Sequence, residues 1–154
     1  MRCFFYNRKV LLMVTLLFCI VSLFVAHGFK RVVEDRCYKD KIRAADIMSR
    51  AMEAIKDRKL ELGLPMDPRD IHATGIIGEQ YSPITTTLGS IEAKRTSANP
   101  DMAALVVHLL AASNIKEGDT VGANFSGSFP ALNIAVLSAC EVLNVDVVYI
   151  SSIG

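Results

Sequence analysis

Ser126, Gly127 and Ser128 form the stretch of this chain with the clearest capacity for chemistry. They lie between an apolar run, residues 121–125, and a helix-like run, residues 131–143, with Phe129 and Pro130 at the junction. A hydroxyl-rich turn that opens a helix after a strand is a position for an anion. The unsatisfied N–H groups of the helix start and the helix dipole both favour negative charge there. Two serine hydroxyls and the neighbouring amides can therefore hold a carboxylate or a phosphate. Ordinary turn and capping chemistry accounts for the same residues, with Pro130 at the first helical position. The string is neither a G-x-x-x-x-G-K-[ST] loop nor a G-x-G-x-x-G fingerprint. It also lacks the G-x-S-x-G pattern of a nucleophile elbow. The histidines, His27, His72 and His108, are scattered, and no Ser–His–acid set can be assigned.

A second group follows the same logic. Thr85, Thr86 and Thr87 precede Glu92, Lys94 and Arg95. Hydroxyls beside a Lys-Arg pair suit an anionic group, and arginine binds carboxylates bidentately. The plainer account is a β-prone strand followed by a solvated charged turn. Glu79 and Glu92 are the carboxylates available for acid–base work, although spacing gives no distance between them. The cysteines, Cys3, Cys19, Cys37 and Cys140, have neither metal-ligand nor C-x-x-C spacing, so they read as packing residues and an incidental thiol. No cofactor is indicated.

The elements that must position these groups begin with residues 10–26, an uncharged run of the length that spans a bilayer. It is long for the apolar core of a signal peptide and lacks a small-x-small cleavage site, since Phe24 stands before Ala26. We read it as an uncleaved single-pass anchor behind a basic tail, residues 1–9, with a cleaved signal peptide as the alternative. Arg2, Arg8 and Lys9 precede it, and Lys30, Arg31, Arg36, Lys39, Lys41 and Arg43 follow. A literal positive-inside count places the following domain in the cytoplasm, whereas the signal-like layout places it outside. The expectation adopted is extracytoplasmic.

Residues 40–62 have helical spacing, with Ile42, Ala45, Met48, Met52, Ile55 and Leu62 on one face and Gly63 as the stop. Residues 66–154 then read as an α/β domain. Residues 71–99 combine Gly, Ser and Thr with isolated isoleucines, a composition shared by irregular connections and by ordered loops that line a site. Asn99 and Pro100 mark a helix start, with Met102, Leu105, Val106, Leu109 and Leu110 as its apolar face and His108 at the core boundary. Strand 120–125, helix 131–143 and strand 145–151 complete a βαβ-type unit of a parallel sheet. No helix follows the last strand, so the expectation is a partial sheet domain of a longer protein. The formal net charge of +1 gives no global field for nucleic acid, and no nucleic-acid motif is present.

Several strings together resemble the poly-gamma-glutamate system protein family. They are Thr74-Gly75-Ile76-Ile77-Gly78-Glu79, Ser82-Pro83-Ile84-Thr85-Thr86-Thr87-Leu88-Gly89, Glu92-Ala93-Lys94-Arg95-Thr96, Asn99-Pro100, and Ser126-Gly127-Ser128-Phe129-Pro130-Ala131-Leu132-Asn133. The resemblance covers about residues 40–154. It implies a membrane-anchored accessory component of poly-gamma-glutamate biosynthesis or export, whose partners are the synthase and export components. It carries no catalytic residue set. The implied alternatives are a hydrolase or transferase acting on the polymer through Ser126 or Ser128, and a structural partner of the synthase. Under the first reading Thr85, Thr86, Thr87, Lys94, Arg95, Ser126, Gly127 and Ser128 are the expected ligand-binding residues.

Overall fold

The structure is a computed structural model that describes residues 8–29, 35, 37–86 and 88–153. The chain divides into two compact units, Met1–Asp35 and Arg36–Gly154. In the first, helix α1 (Arg8–Gly28) exposes its described side chains, apolar ones included. Its Val10–Gly28 stretch has a mean hydropathy of 2.6 and is long and apolar enough to cross a membrane. At 1.5 Å per residue those residues extend roughly 28 Å, close to a hydrocarbon core. Residues 1–7 and the flanking Lys30, Arg31 and Arg36 lie outside the described residues.

The second unit mixes helices with a two-stranded parallel sheet. Its elements are α2 (Tyr38–Glu61), α3 (Ile91–Ser97), α4 (Asp101–Ala112), β1 (Thr120–Phe125), α5 (Pro130–Leu143) and β2 (Asp146–Ser151). The core is the meeting of α2, α4 and α5. Ala44, Met48 and Met52 pack with Ala103 and Val107 and with Ala131, Ala135 and Ala139. Small residues at facing positions let three helix backbones approach closely, and the two methionines fill the remaining space.

The buried faces match those expected of helical spacing only in part: Met48 and Met52 of α2 are buried, and Met102, Val106 and Leu110 of α4 pack against the core. On α2, Ala44 is buried, whereas Ile42, Ile55 and Leu62 are exposed. On α4, Ala103 and Val107 are buried, whereas Leu105 and Leu109 stay largely exposed. Alpha4 is apolar nearly all round, so periodicity alone does not choose its face; the alanines of its neighbours do. His108, expected at the core boundary, is exposed, with its Nδ1 3.3 Å from Lys41 Nζ.

Local chain chemistry sets the helix ends. Gly63, at φ +68°, closes α2: its N–H donates to the Leu60 carbonyl and the Leu64 N–H to that of Lys59. Asn144, at φ +53°, closes α5 in the same way, and its side-chain amide donates to Glu117. Asn99 Oδ1 accepts the Asp101 N–H at 3.0 Å, but α4 begins at Asp101 with Pro100 at the N-cap, one residue later than sequence predicts.

Beta1 and β2 pair in register from Thr120↔Asp146 to Phe125↔Ser151. Val121, Ala123, Phe125 and Val147 share the covered face, where Tyr149 stacks on Phe125 with ring centroids 4.9 Å apart. Val148 and Ile150 point the other way, 66% and 77% exposed. Among the described residues 71–99 contain no strand; the Thr-rich stretch is irregular, and its charged end forms α3. The β-prone account fails for Thr85, which bonds with Ser82 in a turn instead, and Thr87 lies outside the described residues.

Candidate functional site

A cavity of about 210 Å³ opens between α3, the loop entering α5 and the segment that follows α2. Its polar lining includes Glu79, Gln80, Ser82, Thr85, Lys94 and Ser128. Ile76, Ile77, Ile84, Phe129 and Ile153 supply apolar wall. Four separate stretches of sequence thus converge on one small space.

Asp70 organises the first stretch. It is buried and accepts the Thr74 hydroxyl at 3.0 and 3.1 Å and the Gly75 N–H at 2.7 Å. Gly75 sits at φ +78°, and a Cβ there would stand 2.7 Å from Lys56 Cβ, so only glycine lets this turn rest on α2. Lys59 Nζ then donates to the Gly75 carbonyl at 3.1 Å. A second clamp is the Arg69–Asp67 pair, with contacts of 2.9 and 2.7 Å. Arg69 Nη2 also donates to the Gly78 carbonyl at 3.0 Å, the residue before Glu79. The Arg69 hydrogen bonds hold the Asp67 carboxyl down at about 2, against an ordinary 3.8.

Alpha3 positions Lys94. Ser90 caps it: its hydroxyl accepts the Ala93 N–H at 3.3 Å and donates to Glu92 at 2.7 Å. That serine bond holds the Glu92 carboxyl below its ordinary range. Successive residues on a helix point about 100° apart. Lys94 therefore lines the cavity, whereas Arg95 turns away and donates its Nε to the Arg69 carbonyl at 2.9 Å. Arg95 instead borders a broader groove of about 740 Å³ with Glu53, Lys56 and His72. Gly89 leaves room for Lys94, since a Cβ there would lie 3.3 Å from Lys94 Cε and 3.7 Å from the Phe129 ring.

The α5 entry loop supplies Ser128. Ser126 Oγ accepts the Ser128 N–H at 3.2 Å. The Ser126 carbonyl accepts the Phe129 N–H at 3.2 Å and the Asn133 side-chain amide at 3.0 Å. Pro130 has no N–H to offer. The donors of Ser128 and Phe129 are thus spent inside the turn, and Lys94 is the cationic side chain in the cavity lining. Gly127 lines the cavity and packs on the end of β2, where a Cβ would meet the Ile153 carbonyl at 3.0 Å.

Of the residues expected from sequence, Thr85, Lys94, Gly127 and Ser128 meet at the cavity. Thr86 and Ser126 are not in its lining, Arg95 faces the other groove, and Thr87 lies outside the described residues. Glu79 lines the cavity but Glu92 does not; it accepts the hydroxyl of the capping Ser90 instead. Ser97, which reasoning from sequence passed over, is buried under the cavity and donates to the Lys94 carbonyl at 2.8 Å. The signal for α3 was present: Ser90 three residues before Ala93, with an acid in the first turn.

Among the described residues no group of three His, Cys, Asp or Glu side chains is placed to hold a metal. Burial pushes the Cys140 thiol up, which suits a packing residue and not a nucleophile. No protein-family model, curated protein or solved structure matches the chain.

Proposed function

We propose that this protein is a membrane-anchored accessory component of poly-gamma-glutamate biosynthesis or export, and that it binds a γ-glutamyl ligand at the cavity beside Lys94. The observation that carries the reading is the convergence of the resemblance-bearing strings: residues of 74–79, 82–89, 92–96 and 126–133 line one cavity. An ammonium group, hydroxyls and an apolar wall are what a short chain of carboxylates and methylenes requires. In this reading α1 is a single-pass anchor, the domain lies outside the cytoplasm, and the parallel β1–α5–β2 arrangement is part of a larger βαβ-type sheet. The partners are the synthase and export components, and nucleic acid is not among them.

The test is binding of oligo-γ-glutamate to the detergent-solubilised chain by calorimetry. Lys94→Ala should weaken binding roughly tenfold, as loss of one partly exposed charge partner does. Arg95→Ala should weaken it less. Equal affinity in wild type and Lys94→Ala would remove the cavity from the proposal.

One observation favours a second reading. Ser128 and Lys94 share the cavity, and a serine activated by a lysine is a known route to acyl transfer. A hydrolase or transferase of γ-glutamyl chains would then use Ser128 as nucleophile. Turnover of the polymer that disappears in Ser128→Ala would establish it; no release of glutamate by the wild type would dismiss it.

A further inference from the structure

We infer that the cavity selects a small zwitterion, with Glu79 holding an α-ammonium group and Lys94 a carboxylate, so that the ligand is an amino acid or the amino-terminal residue of a γ-linked chain. The inference rests on the reading above that the cavity takes a γ-glutamyl ligand, and it narrows that ligand chemically.

Glu79 and Lys94 line the same 210 Å³ space. Yet they do not pair with each other. Among the described residues neither side chain has an ion-pair or hydrogen-bond partner. Opposite charges that face one cavity without meeting leave room for a ligand that bridges them. The positions are built rather than incidental. The clamp of Arg69 on Gly78 fixes the chain beside Glu79. The Ser90 cap and the Ser97–Lys94 bond fix the turn of α3 that carries Lys94.

Electrostatics then discriminates between parts of a polymer. An interior γ-glutamyl residue offers a carboxylate and an amide nitrogen, so Glu79 would meet only negative charge and neutral donors. Like charges at short range are unfavourable, and more so in a partly enclosed site. The amino-terminal residue and the free amino acid alone carry an ammonium group. The volume agrees with one residue, being below the roughly 300–1,000 Å³ of pockets for drug-sized ligands. Ser82, Thr85 and Ser128 supply hydroxyls for the carboxylate end, and Ile76, Ile84 and Phe129 cover the methylenes.

The experiment is calorimetric titration of the full chain in detergent micelles with four probes: glutamate, N-acetylglutamate, oligo-γ-glutamate and its N-acetylated form. Free-amino probes should bind, and acetylation should weaken binding at least roughly tenfold. Glu79→Gln, a near-isosteric change at an exposed position, should bring the free and acetylated probes to equal affinity. Glutamate binding as tightly as the oligomer would identify the free amino acid as the source; tighter oligomer binding that still requires the free amine would identify a chain end. Acetylated and free oligomers binding alike, with both lost in Lys94→Ala, would overturn the zwitterion and leave the polyanion reading standing. No binding of any probe by the wild type would overturn both.

Discussion

Gly75 illustrates how a single residue holds the site together. Its left-handed φ and its contact with Lys56 combine two costs for any larger residue. Gly75→Ala should lower the unfolding free energy by about 2–4 kcal/mol, the sum of backbone strain and overpacking, read as a drop in the urea midpoint. Asp67 gives a pH signature. Its folded value near 2 lies below the ordinary 3.8, so its contribution is complete above about pH 4 and is lost as pH falls through 2. Wild type should therefore lose more thermal stability between pH 5 and pH 2 than Asp67→Asn does. Equal losses would show that the Arg69 clamp does not survive in solution. Neither residue attracts attention as a catalytic type, yet both place Glu79, and spacing alone offers no hint of it.

At the scale of elements, the choice of helix face is the instructive case. Alpha4 offers leucines at 105, 109 and 110, and a periodicity argument puts them inward. Leu110 does pack against the core, but Leu105 and Leu109 stay exposed and the fully buried positions are Ala103 and Val107, because α2 and α5 present Ala44, Ala131, Ala135 and Ala139 and the helices close down on the small side chains. Leu109→Lys should accordingly change stability by less than about 0.5 kcal/mol, whereas Ala103→Leu should cost about 1–3 kcal/mol by overpacking. Thermal unfolding of the two variants distinguishes this face from the expected one; the reverse order would restore Leu109 to the core. Alpha3 makes a related point. Its seven residues are too few to be helical by propensity alone, and the Ser90 cap and the Arg95–Arg69 bond hold it in place.

At the scale of the whole molecule the chain is an apolar helix and a separately compact mixed α/β unit. Removal of residues 1–35 should move the protein from the membrane pellet to the soluble fraction while leaving a cooperative thermal transition. Pelleting of the shortened chain would assign membrane association to the second unit, where Val148 and Ile150 are the exposed apolar candidates. The sequence by itself determined what depends on neighbouring residues: the apolar run, the Gly63 stop, and the extents of β1, α5 and β2 to within a residue. Each is a matter of hydrogen bonds, backbone angles or hydropathy over a few positions. Only the tertiary structure decided which apolar face is buried, which of Lys94 and Arg95 meets the cavity, and that Glu79 lines it as well. Those outcomes depend on packing between residues as far apart as 76 and 153, and chain spacing carries no information about such distances until the helices have closed on one another.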